Sequence, residues 1–414
     1  MRAKLLKQSR FIITIAAALL AIGTMPALAA APKGPQISRS IARPLIAAQK
    51  ALQAGKFAEG LKNLKEAEGK SGLTPFDRKT IDDLKAYAYV KTNDMKNAQA
   101  SWEAALATGA CTPADTLRFT RAVFQLSYNA HEYPKAIEYG KKLADLGAAS
   151  PDIYAVIGQS YYLTNNCKNA GAYMDKAIAA TRKDGKVPQE GYYQIKLRCA
   201  FDAKDTAGEI SGYSDLIRLT NKPDYWNALL RIERQDEKQD RNLLMIYRIM
   251  YNTNSMKVGS DYVEMAQLLG DAALPGEATD VLKKALASGV IAPDQQARTN
   301  RLLADMQKRA DADRKGQAEF AKEAAKSGAG QLYVKLGEVY YGFGDYANAA
   351  SAIQTGLQKG GVKSLGEAYV YLGLANQQLK NIPAAKKAFA GLKSVTTMPP
   401  NILKLWALYA GNLS

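Results

Sequence analysis

The sequence predicts an all-α protein: an α-solenoid of about ten stacked helical hairpins with a capping helix at its C-terminal end. Three observations predict this class. From about residue 41 onward, Ala-rich amphipathic stretches alternate with short Gly, Asn or Asp turns, and the alternating pattern typical of strands is nearly absent. A small residue in one stretch is followed twelve residues later by a small residue in the next. The first member of each pair recurs every 33 to 39 residues, as in arrays of helical repeats.

The first element along the chain is an export signal at residues 1–29. Met1–Arg10 carries four cations and no acid, and Phe11–Ile22 is apolar throughout. Residues 27–29 (Ala-Leu-Ala) place small side chains at the −3 and −1 positions of a cleavage site. The apolar run is short for a membrane-spanning helix, which needs about 20 residues, and an uncleaved anchor is the alternative. We expect an exported mature chain without a transmembrane segment, beginning with a linker over residues 30–40.

The hairpins are expected to occupy residues 41–398. Two antiparallel helices approach closely only where both present Gly or Ala, and a bulky residue one turn later fills the space beside the crossing. Gly158, Ala170 and Met174 follow this order. The other pairs with the same offset are Ala48/Gly60, Ala86/Ala98, Ala266/Ala278, Gly337/Ala349 and Gly373/Ala385. Each hairpin leaves one face unburied, so the hairpins have to stack.

Four hairpins depart from the pattern, although we expect a hairpin at each. Phe124 stands at the small position of the third hairpin. The degenerate pairs of the fifth, sixth and eighth hairpins are Leu197/Glu209, Leu230/Asn242 and Ala304/Gly316. Residues 399–414, which begin with two prolines, are expected to form the capping helix, because a solenoid end exposes an apolar face. Leu405 and Trp406 would pack inward.

Two of the hairpins resemble a known repeat. The strings Ile157-Gly158-x2-Tyr161…Ala170…Ala177 and Leu336-Gly337-x2-Tyr340…Ala349 resemble the tetratricopeptide repeat (TPR) pattern L-G-x2-Y…A…A. The TPR period is about 34 residues. The resemblance extends over nearly the whole chain after the signal. It implies a TPR superhelix that exposes the first helix of each hairpin on a concave side.

A narrower resemblance concerns three strings that occur in a fixed order. They are Lys222-Pro223-Asp224-Tyr225-Trp226, Val263-Glu264-Met265-Ala266-Gln267-Leu268, and Leu332 followed by Leu357-Gln358-Lys359-Gly360-Gly361. With its length, signal and repeat order, the chain resembles the exported TPR proteins encoded beside TonB–ExbB–ExbD energy-transduction systems in proteobacteria. None of the strings carries chemistry of its own. The resemblance implies a periplasmic scaffold that is an accessory of energised outer-membrane uptake.

The candidate binding site is a polar strip on the first helices of the middle hairpins. In the TPR register its side chains point into the groove, and they are arginines, amides and tyrosines. The strip consists of Arg118, Arg121, Gln125, Tyr128, Asn129, Gln159, Tyr162, Gln194, Arg198, Asn227, Arg231, Arg234 and Gln235. Arginine grips carboxylates bidentately and amides bond main-chain groups, so the strip suits an extended peptide, acidic or carboxylate-terminated, of an envelope protein. A solvated solenoid face is the alternative, because it needs polar residues whatever it binds.

The charge of the chain leaves a second class of partner open. Lys and Arg number 56 and Asp and Glu 39, a net charge of +17, and +13 remains once the four cations of the signal are removed. This charge would favour an anionic envelope polymer, peptidoglycan or lipopolysaccharide, as the alternative to a protein. Nucleic acid is not expected as a partner, because an exported chain rarely meets it.

The sequence speaks against an enzyme and against a metal or cofactor site. A single histidine excludes a multi-histidine metal site, and that residue, His131, falls in the turn of the third hairpin. Asp82-Asp83, Asp311 and Asp313 lie on helices rich in Lys and Arg, as solvated carboxylates do. No P-loop, HExxH, GxSxG or dinucleotide-binding pattern occurs in a suitable context. We expect a non-catalytic chain without a cofactor.

Three cysteines allow at most one internal disulfide in an exported chain. Cys167 lies in the turn of the fourth hairpin and Cys199 near the end of the next helix, and stacking brings these edges together. A Cys167–Cys199 bridge is therefore feasible and would leave Cys111 free. The alternative is three free thiols.

Overall fold

The computed structural model describes residues 36–235 and 237–413. Within them it contains 20 α-helices, one short 3-10 helix and no strand, so the predicted all-α solenoid of helical hairpins is confirmed. The signal predicted at residues 1–29 and most of the linker predicted at 30–40 lie outside the described residues. The helices fall into two compact units, of which unit 1 ends at Lys204 and unit 2 begins at Asp205. One continuous superhelix over residues 41–398 stays a prediction.

Unit 1 consists of four hairpins and a ninth helix in its described part. Its helices are α1 (Arg39–Gln53), α2 (Phe57–Glu68), α3 (Pro75–Lys91), α4 (Met95–Ala107), α5 (Pro113–Asn129), α6 (Tyr133–Asp145), α7 (Pro151–Leu163), α8 (Cys167–Lys183) and α9 (Glu190–Asp202). Each helix packs against the next along the chain, and consecutive hairpins thereby stack.

Local capping explains where the helices of unit 1 begin. The hydroxyl of Thr74 accepts a hydrogen bond from the backbone N–H of Asp77, whose carboxylate accepts one from the backbone of Thr74. Thr112 caps α5 in the same way, and a proline follows each threonine at the start of its helix. The turns inside the hairpins use left-handed residues, among them His131 with φ 61°. The predicted position of His131 in a turn is confirmed.

Close helix crossings occur where the sequence places small residues. A Cβ atom on Gly158 would lie 2.9 Å from Cε of Met174 and 3.2 Å from the carbonyl oxygen of Ala170, so the two helices approach closely at this glycine. The third hairpin reverses the arrangement, because a Cβ on Gly140 of the second helix would lie 2.8 Å from the ring of Phe124. Large and small residues have exchanged helices there. The crossing stays close, which explains the departure at Phe124.

Unit 2 contains eleven α-helices in its described part. They are α10 (Thr206–Thr220), α11 (Pro223–Glu233), α12 (Asp240–Asn252), α13 (Gly259–Asp271), α14 (Pro275–Ala287), α15 (Pro293–Ser327), α16 (Gly330–Gly342), α17 (Tyr346–Lys359), α18 (Leu365–Gln378), α19 (Ile382–Ala390) and α20 (Pro400–Gly411). The short 3-10 helix, Gly391–Ser394, follows α19.

The hairpin predicted at Ala304/Gly316 is wrong. The whole of α15 is one continuous helix of 35 residues that ends at Gly328, a left-handed residue with φ 67°. Residues 304–315 contain no Gly, Pro or Asn that would favour a turn, and most of them are good helix formers. Gly316 is exposed, and a Cβ atom there would meet nothing within 4 Å. Its glycine is therefore neither a turn nor a crossing.

Unit 2 closes on itself through its last helix. α20 packs against α19 and also against α12 and α10 near the start of the unit. Leu405 and Trp406 are buried, and the indole of Trp406 stacks on Phe389 with ring centroids 5.4 Å apart. Tyr409 meets Trp226 of α11 edge to face at 6.3 Å. The C-terminal helix therefore covers the last hairpin and joins it to the first helices of this unit.

α12 runs through the interior of unit 2. Every residue from Leu244 to Met250 is buried, including Arg248, whose side chain is 2% exposed. Arg248 donates hydrogen bonds to the two carboxylate oxygens of Glu277 on α14 at 3.2 and 3.1 Å and also contacts Tyr371 of α18. The Tyr371 hydroxyl donates to Glu277 at 2.6 Å. This buried network fixes α12 between α14 and α18.

Candidate functional site

Nine residues of the predicted polar strip lie in unit 1, on the first helices of its third and fourth hairpins and on its ninth helix. Arg118, Arg121, Gln125, Tyr128 and Asn129 belong to α5, Gln159 and Tyr162 to α7, and Gln194 and Arg198 to α9. The hairpin architecture therefore distributes them over three helices, as the sequence pattern predicts. Whether a partner binds there stays a prediction.

Arg118 binds carboxylates of unit 1. Its guanidinium donates two hydrogen bonds to the carboxylate of Asp83 on α3, at 3.1 and 2.7 Å. Lys79, also on α3, forms an ion pair with Asp115 of α5 at 2.7 Å, and Asp115 is 3.5 Å from Arg118. The indole N–H of Trp102 also donates to Asp83, at 3.3 Å. Arg118 thus fastens α5 to α3, and its charge is largely balanced within unit 1.

The remaining strip residues of α5 face solvent to different degrees. Arg121 and Asn129 are exposed, while Gln125 and Tyr128 are half-buried. Burial raises the pKa of Tyr128 to about 12, to which the neighbouring Tyr133 contributes, so the phenol stays neutral at physiological pH. A neutral phenol can both donate and accept a hydrogen bond. This part of α5 therefore offers one exposed cation beside neutral polar groups.

The strip residues of α7 and α9 are partly withdrawn from the surface. Gln159 is buried, so its predicted position on the surface of the groove is wrong, because α7 packs against α6, α8 and α9. Tyr162 is half-buried, and burial raises its pKa, an effect that Arg198 opposes. The guanidinium of Arg198 donates to the carboxylate of Asp202, one helical turn later, at 2.9 and 3.1 Å. The Gln194 amide donates to Glu190 at 3.1 Å.

The four strip residues of unit 2 divide between surface and interior. Asn227 is buried, and its amide donates to the backbone carbonyl of Ser255 at 2.6 Å, so its predicted exposure is also wrong. Arg234 forms an ion pair with the buried carboxylate of Asp261 at 2.8 Å and donates to the Tyr247 hydroxyl at 2.6 Å. Arg231 is half-buried and Gln235 exposed. In unit 2 the strip therefore serves packing as well as the surface.

These partners change the electrostatic character of the strip. Arg118, Arg198 and Arg234 each face a carboxylate of their own unit. The partners Asp83 and Asp261 come from other helices, and nothing in the TPR register points to them. Among the described residues, Arg121 and Arg231 are the two arginines of the strip that form no ion pair with a carboxylate. The strip therefore carries less net positive charge than the sequence suggests, because carboxylates balance three of its arginines.

A smaller concave region adjoins the strip at Asn129. This cavity of about 530 Å³ is lined by residues of α4, α5 and α6 and of the turn at residues 130–132. Lys135 bridges the carboxylates of Glu103 and Glu132 at 3.0 and 3.2 Å, and Gln99 donates to both. Hydrogen bonds from Gln99 and Lys135 hold the pKa of Glu132 below its ordinary value. These four polar side chains of the lining therefore pair with one another, and apolar residues such as Leu126 complete the lining.

Cys167 and Cys199 form a disulfide that joins α8 to α9. Their Cα atoms are 5.4 Å apart, within the usual range for disulfides. Cys111 is a half-buried free thiol, and burial raises its pKa. This arrangement agrees with the pairing that the sequence makes feasible. Among the described residues, no group of three or more His, Cys, Asp or Glu side chains is arranged to hold a metal ion.

Comparisons with known proteins give structural likenesses only. No family profile matches the chain, and no curated protein is similar in sequence. A tetratricopeptide repeat protein from Parabacteroides merdae aligns with 65% of this chain and 100% of its own, at 14% identity and a TM-score of 0.30. Yeast Tom70 aligns with 90% of this chain and 95% of its own, at 11% identity and a TM-score of 0.24.

In the described part of the chain, no helix combines the length and hydropathy needed to cross a bilayer.

Proposed function

We propose that this chain is a non-catalytic TPR scaffold that is exported to the periplasm and binds a protein partner through the polar strip of unit 1. The observation that carries the proposal is the distribution of strip residues over α5 and α7, the first helices of the last two hairpins of unit 1, and over α9, the helix that follows them. Exposed Arg121 and Asn129 lie beside half-buried Gln125 and Tyr128, a mixture that suits main-chain and carboxylate groups of an extended peptide. The export signal predicted from the sequence supports a partner in the cell envelope.

The finer part of the proposal concerns the system that the scaffold serves. The resemblance to exported TPR proteins beside TonB–ExbB–ExbD systems supports an accessory role in energised outer-membrane transport. An adjacent TonB–ExbB–ExbD gene cluster would support this role. Its absence from the neighbourhood of the gene would count against it.

The experiment reverses a charge on the strip without disturbing packing. Arg121→Glu is suitable because Arg121 is exposed, whereas reversal at Arg234 would leave the buried carboxylate of Asp261 unbalanced. Tagged wild-type protein and Arg121→Glu are purified from envelope extracts, with Lys65→Glu on α2 as the control for net charge. We expect the partner to be lost with Arg121→Glu and kept with Lys65→Glu. Undiminished recovery with Arg121→Glu would contradict the proposal.

A second function, binding of an anionic envelope polymer, is favoured by one surface feature. Lys176 lies over the rings of Tyr173 and Tyr154, at 4.5 and 5.9 Å, and Lys141 lies 5.4 Å from the ring centre of Tyr161. Ammonium groups beside aromatic rings suit sugars that carry carboxylates or phosphates. Binding held by charge alone should be released by about 0.3 M salt, where the Debye length is well below 10 Å. A protein partner anchored on the strip should lose only part of its affinity.

A further inference from the structure

Unit 2 contains an open cleft between α10 and α20 that the polar strip does not include. The cleft has a volume of about 840 Å³. Its floor is apolar, with Ile210 from α10 and Leu405 and Leu408 from α20. Its sides are formed mainly by small residues, among them Ser211 and Ala407, which are exposed. The cleft is therefore wide at the surface and apolar at its base.

The contacts of α11 show how the two walls are oriented. Glu233, at the end of α11, accepts a hydrogen bond from Asn401 at the start of α20, at 3.0 Å. Trp226, near the start of α11, meets Tyr409 near the end of α20. α11 is thus antiparallel to α20. It follows α10 after a two-residue turn and packs back against it, with Tyr225 beside Tyr213, so it is also antiparallel to α10. α10 and α20 therefore run side by side in the same direction, like two walls of one groove.

Two cations, Arg218 and Lys404, and one carboxylate, that of Glu233, line the cleft. Lys404 of α20 is exposed, and the guanidinium of Arg218 in the last turn of α10 is 62% exposed. Asp215 pairs with Arg218 at 3.1 Å, and the carboxylate of Glu233 is held by Asn401. Carboxylates brought by a ligand would therefore meet Lys404 and the open side of Arg218.

We propose that this cleft binds an α-helix of a partner protein that is apolar on one face and acidic along its flanks. Small residues on both walls let a third helix approach to the 8–10 Å axis separation of packed helices. Its apolar face would cover Ile210, Leu405 and Leu408, and its carboxylates would meet Lys404 and Arg218. This is helix-in-groove recognition, at a surface separate from the strip of unit 1.

The test uses the full chain and three synthetic peptides of 20 residues, each labelled for fluorescence anisotropy. The first is an amphipathic helix with leucines on one face and glutamates on its flanks. The second has lysine in place of each glutamate, and the third is the acidic peptide interrupted by two prolines. We expect the acidic helix to bind at least tenfold more tightly than either of the other two.

Variants then locate the binding. Ala407→Trp fills the cleft from an exposed position and should lower the affinity for the acidic peptide at least tenfold. Ser211→Trp on the opposite wall should do the same. Lys404→Glu should weaken it about two- to fivefold, as expected for a solvent-exposed ion pair. Ala318→Trp and Lys326→Glu, at exposed positions of α15, are the matched controls and should leave binding unchanged.

Three results would overturn the proposal. The first is that no peptide binds or that all three bind equally. The second is that both tryptophan variants fold, by circular dichroism, and bind the acidic peptide like the wild type. The third is self-association of the wild-type chain in analytical ultracentrifugation that Ala407→Trp abolishes, because the occupant would then be a second copy. Arg121→Glu should leave peptide binding intact, which separates this cleft from the strip.

Discussion

Replacing Arg248 with methionine should destabilise unit 2 strongly. The Arg248 side chain is 2% exposed and gives the carboxylate of Glu277 two charged hydrogen bonds, at 3.2 and 3.1 Å. Arg248→Met keeps an apolar chain of similar length but leaves the Glu277 charge buried without those bonds. Loss of one partner of a buried ion pair costs about 3–5 kcal/mol of the free energy of unfolding.

A double variant separates the buried charge from the lost packing. In Arg248→Met/Glu277→Gln both charges are gone, and the amide oxygen can still accept the hydrogen bond from Tyr371. We expect this variant to regain about half or more of the stability lost by Arg248→Met, because an uncharged interior carries no unpaired ion. The network would then act mainly to fix the position of α12.

Urea unfolding followed by tryptophan fluorescence measures these changes. The chain has three tryptophans, and Trp102→Phe leaves Trp226 and Trp406, both in unit 2, as the reporters. A loss of less than about 1 kcal/mol with Arg248→Met would contradict a buried ion pair that stabilises unit 2. A double variant as unstable as Arg248→Met alone would contradict it as well.

Three further predictions concern the disulfide, the glycines and pH. Thiol titration of the unfolded, unreduced protein should find one free thiol, that of Cys111, and Cys167→Ser/Cys199→Ser should lose about 3–4 kcal/mol of stability; three thiols would remove the disulfide. Gly337→Ala should destabilise unit 2 by about 1–3 kcal/mol, because its Cβ would meet the side chain of Ile353 and lie 3.0 Å from the carbonyl oxygen of Ala349. Gly316→Ala, with open space around it on α15, should stabilise by about 0.5–1 kcal/mol, and equal effects of the two changes in thermal melts would contradict the assigned crossing. Burial raises the pKa of the Glu338 carboxyl above its ordinary value of 4.5, an effect that Lys335 opposes. The carboxyl therefore binds its proton more tightly in the folded state than in the unfolded state. The stability that this group contributes is complete below pH 4.5 and declines as pH rises through the folded-state pKa. Glu338→Gln should therefore gain stability relative to wild type between pH 4 and pH 7 in urea titrations. A difference between the two proteins that does not depend on pH would contradict this prediction.

Local rules account for the parts of the fold that the sequence predicts. The crossing of Gly158 with Ala170 and Met174 follows from two helices joined by a short turn, and its spacing can be read from the sequence. The turn position of His131 follows from the same register. The pairing of Cys167 with Cys199 needs only the stacking of neighbouring hairpins.

Contacts between distant segments account for what the sequence does not predict. The sequence predicts Arg118 as a cation of the groove because repeat spacing does not reveal its partner. That partner, Asp83, lies 35 residues away on another helix. The closure of unit 2 joins Arg248 to Tyr371 across 123 residues, a distance at which repeat spacing gives no information. One signal was available for α12, since residues 243–250 (LLMIYRIM) are apolar on all sides apart from Arg248 and Tyr247, which is typical of an interior helix.

The most direct test of the central claim is site-specific photo-crosslinking in the producing cells. A photo-reactive residue at Gln125 lies on the polar strip of α5, and one at Lys65 on α2 is the control at an exposed position outside the strip. If unit 1 is a protein-binding scaffold, Gln125 should give a discrete protein adduct that Arg121→Glu abolishes, and Lys65 should give none. Equal adducts at both positions, or adducts to envelope polymer alone, would contradict the account.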